Sequence, residues 1–164
     1  MKKIIIAIDS FKGCLTSAEA GKAAEKGIKS INPFCHTSVI PIADGGEGLL
    51  DVLITATKGK YITLSAHGPL MKMAKTHYGL SGNGRTAIIE MAAISGLPLV
   101  PIEQRNPMLT TTFGTGELIK DALNKGCRNF IIGIGGSATN DAGLGMLQAL
   151  GFRFLDKSGH TLGT

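Results

Sequence analysis

Apolar and polar positions follow two rhythms along this 164-residue chain, and the change between them divides it. Lys3 to Ile8 is a short apolar run of the kind that forms a buried strand. Thr16 and Glu19 make a capping-box pair, so Ala18 to Ser30 is expected as a helix that Asn32-Pro33 stops. Thr37 to Ile42 is a second strand, and Leu49 to Ala56 a second helix with Leu49, Leu50, Val52 and Leu53 as its apolar supply. Strand, loop, helix, repeated once, predicts parallel strands with both loops at one C-terminal edge. After Gly59 the period shortens to two. Tyr61 to His67, Ala74 to Leu80 and Arg85 to Met91 alternate like antiparallel strands, and Asn83-Gly84 marks a hairpin between the last two. Leu97 to Thr112 is a polar, proline-bearing loop and Gly116 to Leu123 a helix. Arg128 to Ile134 is expected as a fully buried strand, Gly143 to Leu150 as a helix, and Phe152 to Leu155 as a last strand.

The expected fold is α/β. It has a Rossmann-like parallel sheet with helices, plus part of a second, smaller α/β domain with antiparallel strands. Residues 1–58 and 127–150 form the parallel part, and 60–126 and 151–164 the inserted second domain, each incomplete.

Composition narrows the class. Hydrophobic residues make up 43% of the chain and glycines number 23, which describes a glycine-rich globular protein. No apolar run approaches the roughly 18 residues of a membrane span. Lys2-Lys3 followed by Ile4 to Ile8 resembles a signal peptide only faintly, because Asp9 interrupts it and no small-residue cleavage site follows. Cys14, Cys35 and Cys127 are widely spaced and odd in number, which favours free thiols in a cytoplasmic setting. The net charge of +5 comes from scattered lysines, and aromatic residues are only 5% of the chain, too few for base stacking. Neither a nucleic-acid nor a membrane partner is expected. A mildly basic surface instead attracts small anions.

Three loops carry the candidate chemistry. In the first, Asp9-Ser10-Phe11-Lys12-Gly13, Lys12 can neutralise a transferred phosphoryl group and Asp9 can bind a cation or accept a proton. A surface lysine and a turn aspartate are the plainer account of either residue alone. In the second, Asp44 and Glu47 flank Gly45-Gly46. Two carboxylates that close suit a divalent ion, and they suit equally the N-terminus of the following helix. In the third, Gly135, Gly136, Ser137, Thr139 and Asn140 lie between a strand and a helix. There backbone N–H groups and hydroxyls can surround an anion, or simply cap the helix. Asp141 would repel an anion, which makes it a candidate magnesium ligand or general base. The loop is neither a Walker A motif nor a strict dinucleotide fingerprint. Glu90 ends an apolar strand, where a carboxylate is unusual unless paired or working. His36, His67, His77 and His160 have no metal-ligand spacing, and a bland role is the simpler account of them.

No one of these decides the matter, but three glycine-and-carboxylate loops converging on one sheet edge do. Taken in order, Asp9 to Gly13, Pro41 to Gly48, Ile89 to Ala93, Arg105-Asn106-Pro107 with Thr111 to Leu118, and Gly133 to Asp141 resemble the motifs of the type I glycerate kinases. Cys14, Phe113 and Ala142 stand where that family commonly has serine, tyrosine and glycine. The resemblance implies a kinase that uses ATP and Mg2+ to phosphorylate D-glycerate, usually at the 2-hydroxyl, from a cleft between two α/β domains. Carried onto this chain, it makes Asp9, Lys12, Asp44 and Asp141 catalytic, with Asp44 and Asp141 on the metal. Ser10, Gly45, Gly46, Glu47, Glu90, Gly135, Gly136, Ser137, Thr139 and Asn140 then bind substrate or phosphate. Family members are more than twice as long, so the chain matches their N-terminal portion. The remainder is expected to complete the sheet and one wall of the cleft. The alternative is a non-catalytic remnant or binding module that needs a complementing chain, with an exposed sheet edge open to self-association.

Overall fold

A computed structural model describes residues 3–162. The expected domain limits at residues 1 and 164 fall outside them. Strand β1 (Lys3–Ile8), helix α1 (Ser17–Ile31) and strand β2 (His36–Pro41) come first. β1 and β2 pair in parallel, from Lys3 beside His36 to Ile8 beside Pro41. The Thr16–Glu19 capping box is present at the start of α1. The hydroxyl of buried Ser17 donates to the Ile8 carbonyl at 2.6 Å and accepts from the Ile42 N–H at 3.0 Å. One side chain thus ties both strand ends to the helix and fixes where the two following loops start.

Helix α2 (Leu49–Thr57) leads into β3 (Lys60–His67), β4 (Met73–Leu80) and β5 (Thr86–Glu90). These strands are antiparallel neighbours, as the period of two predicts. The hairpin around Asn83-Gly84 closes with Gly84 at φ 69° and the Ser81 N–H donating to the Thr86 carbonyl. A one-turn helix, α3 (Ala92–Ser95), and two short 3-10 turns occupy the stretch expected as plain loop. Helix α4 (Phe113–Asn124) begins three residues before the expected start, and β6 (Asn129–Gly133) and α5 (Leu144–Ala149) follow.

β5 is buried on both faces. Ala87 and Ile89 join Ala66, Tyr78, Ile94, Leu118 and Ala122 in the core under α4, while Ile88 packs with Leu50 and Ile54 of α2 on the other side. Alternation along the strand sends neighbouring residues to opposite layers.

Three expectations need correction. The strand before the last glycine loop does not return to β1 and β2. β6 runs parallel to β5, from Thr86 beside Asn129 to Glu90 beside Gly133, so the larger sheet has the order β3-β4-β5-β6. Residues 127–150 therefore continue the unit expected to end at 126. The physical reason is local: β5, the crossover through α4, and β6 make a β-α-β unit, and strands so linked are usually neighbours. β6 is also not fully buried, since Ile131, Ile132 and Ile134 are exposed. Phe152 to Leu155 does not form a strand. The Phe152 N–H is spent on the Leu147 carbonyl at the end of α5, and the segment makes only an isolated bridge between Leu155 and Thr161.

Candidate active site

The C-terminal ends of β1, β2, β5 and β6 carry the loops expected to hold the chemistry. Lys12 and Asp44 meet, Nζ to Oδ2 at 3.6 Å, with side chains 66% and 57% exposed. Asp44 Oδ1 accepts the Gly46 N–H at 3.0 Å. That backbone donor and then the Lys12 charge hold the Asp44 carboxyl below its ordinary range. Asp44 therefore caps its own loop and leaves the helix alone. The first turn of α2, whose N-cap Gly48 offers no side chain, is served by Glu90, which accepts the Leu50 N–H at 2.8 Å. Burial pushes the Glu90 carboxyl up, and the Leu50 N–H partly opposes the shift.

The two glycine loops pack against each other. A Cβ on Gly135 would lie 2.8 Å from the Gly46 Cα, and one on Gly133 would lie 2.6 Å from the Gly45 carbonyl oxygen. Neither distance is tolerable, so glycine is required at both positions for the backbones to approach. A cleft of about 820 Å³ opens beside this contact. Lys12, Asp44, Gly45, Gly46, Glu47, Glu90, Gly135 and Gly136 all line it, which joins eight of the expected site residues. A second cavity of about 460 Å³ adjoins it, reaching Ser10 and the starts of α1 and α2, and sharing Lys12, Glu47, His77 and Glu90 with the cleft.

The other expected residues lie elsewhere. Asp9 lines neither space; its Oδ1 accepts the N–H of Ser10 at 2.6 Å. Ser137 and Thr139 bond to each other, hydroxyl to hydroxyl at 2.8 Å, and border a smaller cavity by Arg105 and Asn106. The Asn140 N–H donates to the Pro107 carbonyl. Asp141 is a clamp. Its Oδ2 accepts the N–H and the hydroxyl of Thr112, both at 2.8 Å, and the Gly145 N–H at 3.1 Å, while Oδ1 accepts the Gly143 N–H at 3.0 Å. Burial opposes ionisation, yet these donors outweigh it and hold the carboxyl below its ordinary range. Ala142, where the resembling family favours glycine, has φ 53°, a left-handed conformation that explains the preference.

The expected metal pair Asp44 and Asp141 is therefore split between the cleft and the clamp. Among the described residues no three His, Cys, Asp or Glu side chains gather as metal ligands. Mg2+ needs only one or two carboxylates when phosphate oxygens and water complete its shell. The exposed Asp44, with Glu47 in the same cleft, fits that requirement; Asp141 borders a different cavity, away from this cleft.

His77 was passed over in the sequence, yet it borders both spaces. Strand alternation was the available signal. His77 shares a face of β4 with Gly79, where an added Cβ would strike Leu50 and Ile54 of α2, so both lie on the α2 side of the sheet.

The site is thus an α/β frame that sets a lysine–carboxylate pair beside packed glycine loops. The chain belongs to the glycerate kinase family, whose model matches residues 4–164. It is 55% identical to a glycerate kinase of Bacillus subtilis (strain 168), over 98% of this chain and 42% of that protein. With a glycerate 2-kinase of Escherichia coli (strain K12) the identity is 51%, over 98% and 42%. The crystal structure of a putative glycerate kinase 2 from Salmonella typhimurium LT2 superposes with a TM-score of 0.84 at 49% identity, covering 98% of this chain and 43% of that one. The chain thus spans less than half the length of these relatives.

Proposed function

We infer that the protein built on this chain transfers a phosphoryl group from ATP to D-glycerate, at the 2-hydroxyl. The observation that carries this is the Lys12–Asp44 pair at the mouth of the glycine-lined cleft, with Glu90 in the same wall. In the transfer the acceptor oxygen bonds to the γ-phosphorus, the bond from that phosphorus to the bridging oxygen breaks, and the hydroxyl proton leaves to a base. Lys12 neutralises charge on the transferring group. Glu90, whose carboxyl is raised by burial, is a better proton acceptor than Asp44, whose carboxyl is held below its ordinary range. Asp44 and Glu47 would hold Mg2+, which supplies positive charge to the phosphate oxygens. The Gly45-Gly46 and Gly135-Gly136 backbones orient the donor and keep side chains out of its path.

No helix among the described residues is long and apolar enough to cross a membrane, and we place the activity in the cytoplasm on the strength of the free thiols. A second reading rests on Ile5, Ile131, Ile132 and Ile134, apolar side chains left exposed on β1 and around β6. They support packing against further polypeptide, in the same chain or in another copy.

The test is an assay of these residues continued to the length of their relatives, with ATP, Mg2+ and a panel of small hydroxy acids. Glycerate is expected to be the preferred acceptor, with the product identified as the 2-phosphate by phosphorus NMR. Robust turnover of another acceptor without glycerate would overturn the assignment.

A further inference from the structure

Arg105 and Asn106 belong to a motif that the transfer step leaves unused, and Ser137 and Thr139 are expected site residues that do not line the glycine cleft. All four border one cavity of about 190 Å³. Its walls are tied to each other. The hydroxyl of buried Thr110 donates to the Ala138 carbonyl at 2.8 Å, and the Asn140 N–H donates to the Pro107 carbonyl.

The lining holds donors that nothing described uses. Arg105 Nε donates to the carbonyl of buried Val100 at 3.2 Å, while its two terminal nitrogens have no described hydrogen bond or ion pair. A guanidinium keeps its charge throughout the working pH range. Asn106 Oδ1 accepts the Met108 N–H at 3.0 Å, which leaves the amide NH2 free to donate. Ser137 and Thr139 share one hydroxyl–hydroxyl bond at 2.8 Å, and Ser137 Oγ also accepts the Thr139 N–H at 3.0 Å. The Thr139 carbonyl, 3.5 Å from Ser137 Oγ, is beyond the ordinary range for a hydroxyl donor, so one O–H of the pair is uncommitted. No carboxylate borders this cavity, in contrast to the cleft and the space by Ser10, which Glu47 and Glu90 both border. Asp141 lines a different space that meets this one at Thr110. One fixed positive charge among neutral donors suits one singly charged oxyanion. The volume is below the roughly 300–1,000 Å³ of pockets that take drug-sized ligands, which excludes a nucleoside.

We propose that Arg105, with Asn106 and the Ser137–Thr139 pair, binds the carboxylate of the hydroxy acid in this cavity. The proposal rests on the glycerate kinase reading and adds to it the anchor of the acceptor. Cavity and cleft meet along consecutive residues. Leu97 and Ser137 border the cavity, Pro98 and Gly136 border the cleft, and the Leu97 N–H donates to the Gly136 carbonyl at 2.9 Å. The 2-hydroxyl is on the carbon next to the carboxylate. An acid anchored at Arg105 therefore presents that hydroxyl at the border, to a phosphoryl group held along Gly135-Gly136. The guanidinium fork meets a planar carboxylate with two parallel N–H···O bonds, which a lysine does not reproduce. Arg105 is a binding residue in this arrangement and takes no part in the proton transfer.

The test uses the complete enzyme, these residues continued to family length, with Arg105→Met and Arg105→Lys. Methionine keeps an apolar stem and removes the donors, and thermal melting checks the fold. Arg105→Met is expected to raise the KM for D-glycerate roughly tenfold or more, the effect of losing a hydrogen bond to a charged group, with kcat and the KM for ATP within about twofold of wild type. Arg105→Lys, which keeps the charge and loses the fork, should lie between the two. A glycerate KM unchanged in both variants overturns the proposal. So does a rise confined to the KM for ATP, which would put a nucleotide phosphate in the cavity. An early melt with kcat and both KM values impaired together would mark a structural role and overturn it as well. A wild-type enzyme that phosphorylates another hydroxy acid in place of glycerate overturns the function reading instead, and the same variants compared on that acid still decide the role of Arg105.

Discussion

The Asp44 loop and the Asp141 loop are built alike. Each follows a strand, contains paired glycines and one aspartate, and enters a helix through a glycine N-cap in the left-handed region, Gly48 at φ 90° and Gly143 at φ 76°. Their aspartates are nevertheless in opposite states. Asp44 takes one backbone N–H and an ion pair with an exposed lysine, and borders an open cleft. Asp141 accepts three backbone N–H groups and the hydroxyls of Thr111 and Thr112, binding the start of α4 to the start of α5. The two carboxylates differ in the number of donors already committed to them, which residue type alone does not reveal.

The strongest way to break this contrast is at Lys12. If the open loop does the chemistry, Lys12→Ala in the complete enzyme lowers kcat by roughly a hundredfold or more, as loss of charge stabilisation in the transition state does. Stability should change by no more than about 0.5 kcal/mol, because the ion pair is exposed and such pairs contribute little. Steady-state kinetics beside a thermal melt read both quantities. A near-normal kcat would leave the Lys12–Asp44 pair as surface decoration.

Asp141→Asn tests the other side with a nearly isosteric change. The amide must present its NH2 either to the Gly143 N–H or to the donors from Thr112 and Gly145, so a donor faces a donor in either rotamer. A stability loss of about 1.5–3 kcal/mol is expected, the range for hydrogen bonds to a charged partner. Turnover per folded molecule should stay within a few-fold. Unchanged stability with collapsed turnover would put Asp141 back into the chemistry.

Local signals in the chain were legible where local physics decides. The Thr16–Glu19 box, the Asn83-Gly84 hairpin and the parallel β1–β2 pair all form as the spacing predicts. Lys12, Asp44 and Glu47 could be gathered at one edge because parallel strands send their following loops the same way, whereas Glu90 ends a strand of the other sheet. Partner choice at long range was not legible. Nothing in Asn129 to Gly133 says whether β5 or β1 is its neighbour. Gly133 and Gly135 are fixed by a contact with Gly45 and Gly46 that lies about ninety residues away along the chain. The direction in which Ser137 to Asp141 turns depends on carbonyls and donors supplied by Pro107 and Thr112, which stitch that stretch to its neighbouring loops.

The smallest effect is also the most selective. The donors to Asp141 set its folded pKa below the ordinary carboxylate value of about 3.9. The unfolded chain binds the proton more readily than the folded one, so ionised Asp141 adds stability that is complete above that ordinary value. This stability is lost as the pH falls through the folded pKa. Asp44, Glu19 and Asp156 are shifted in the same direction by their own donors, and all three remain in an Asp141→Asn protein. Subtracting one stability profile from the other therefore isolates position 141. Wild type and variant should differ most near neutral pH and converge as the pH falls from about 5 through the folded pKa, followed by urea unfolding at each pH. Parallel profiles across that window would mean that the Asp141 carboxylate has no special partners in the fold, and the contrast with Asp44 would lose its physical basis.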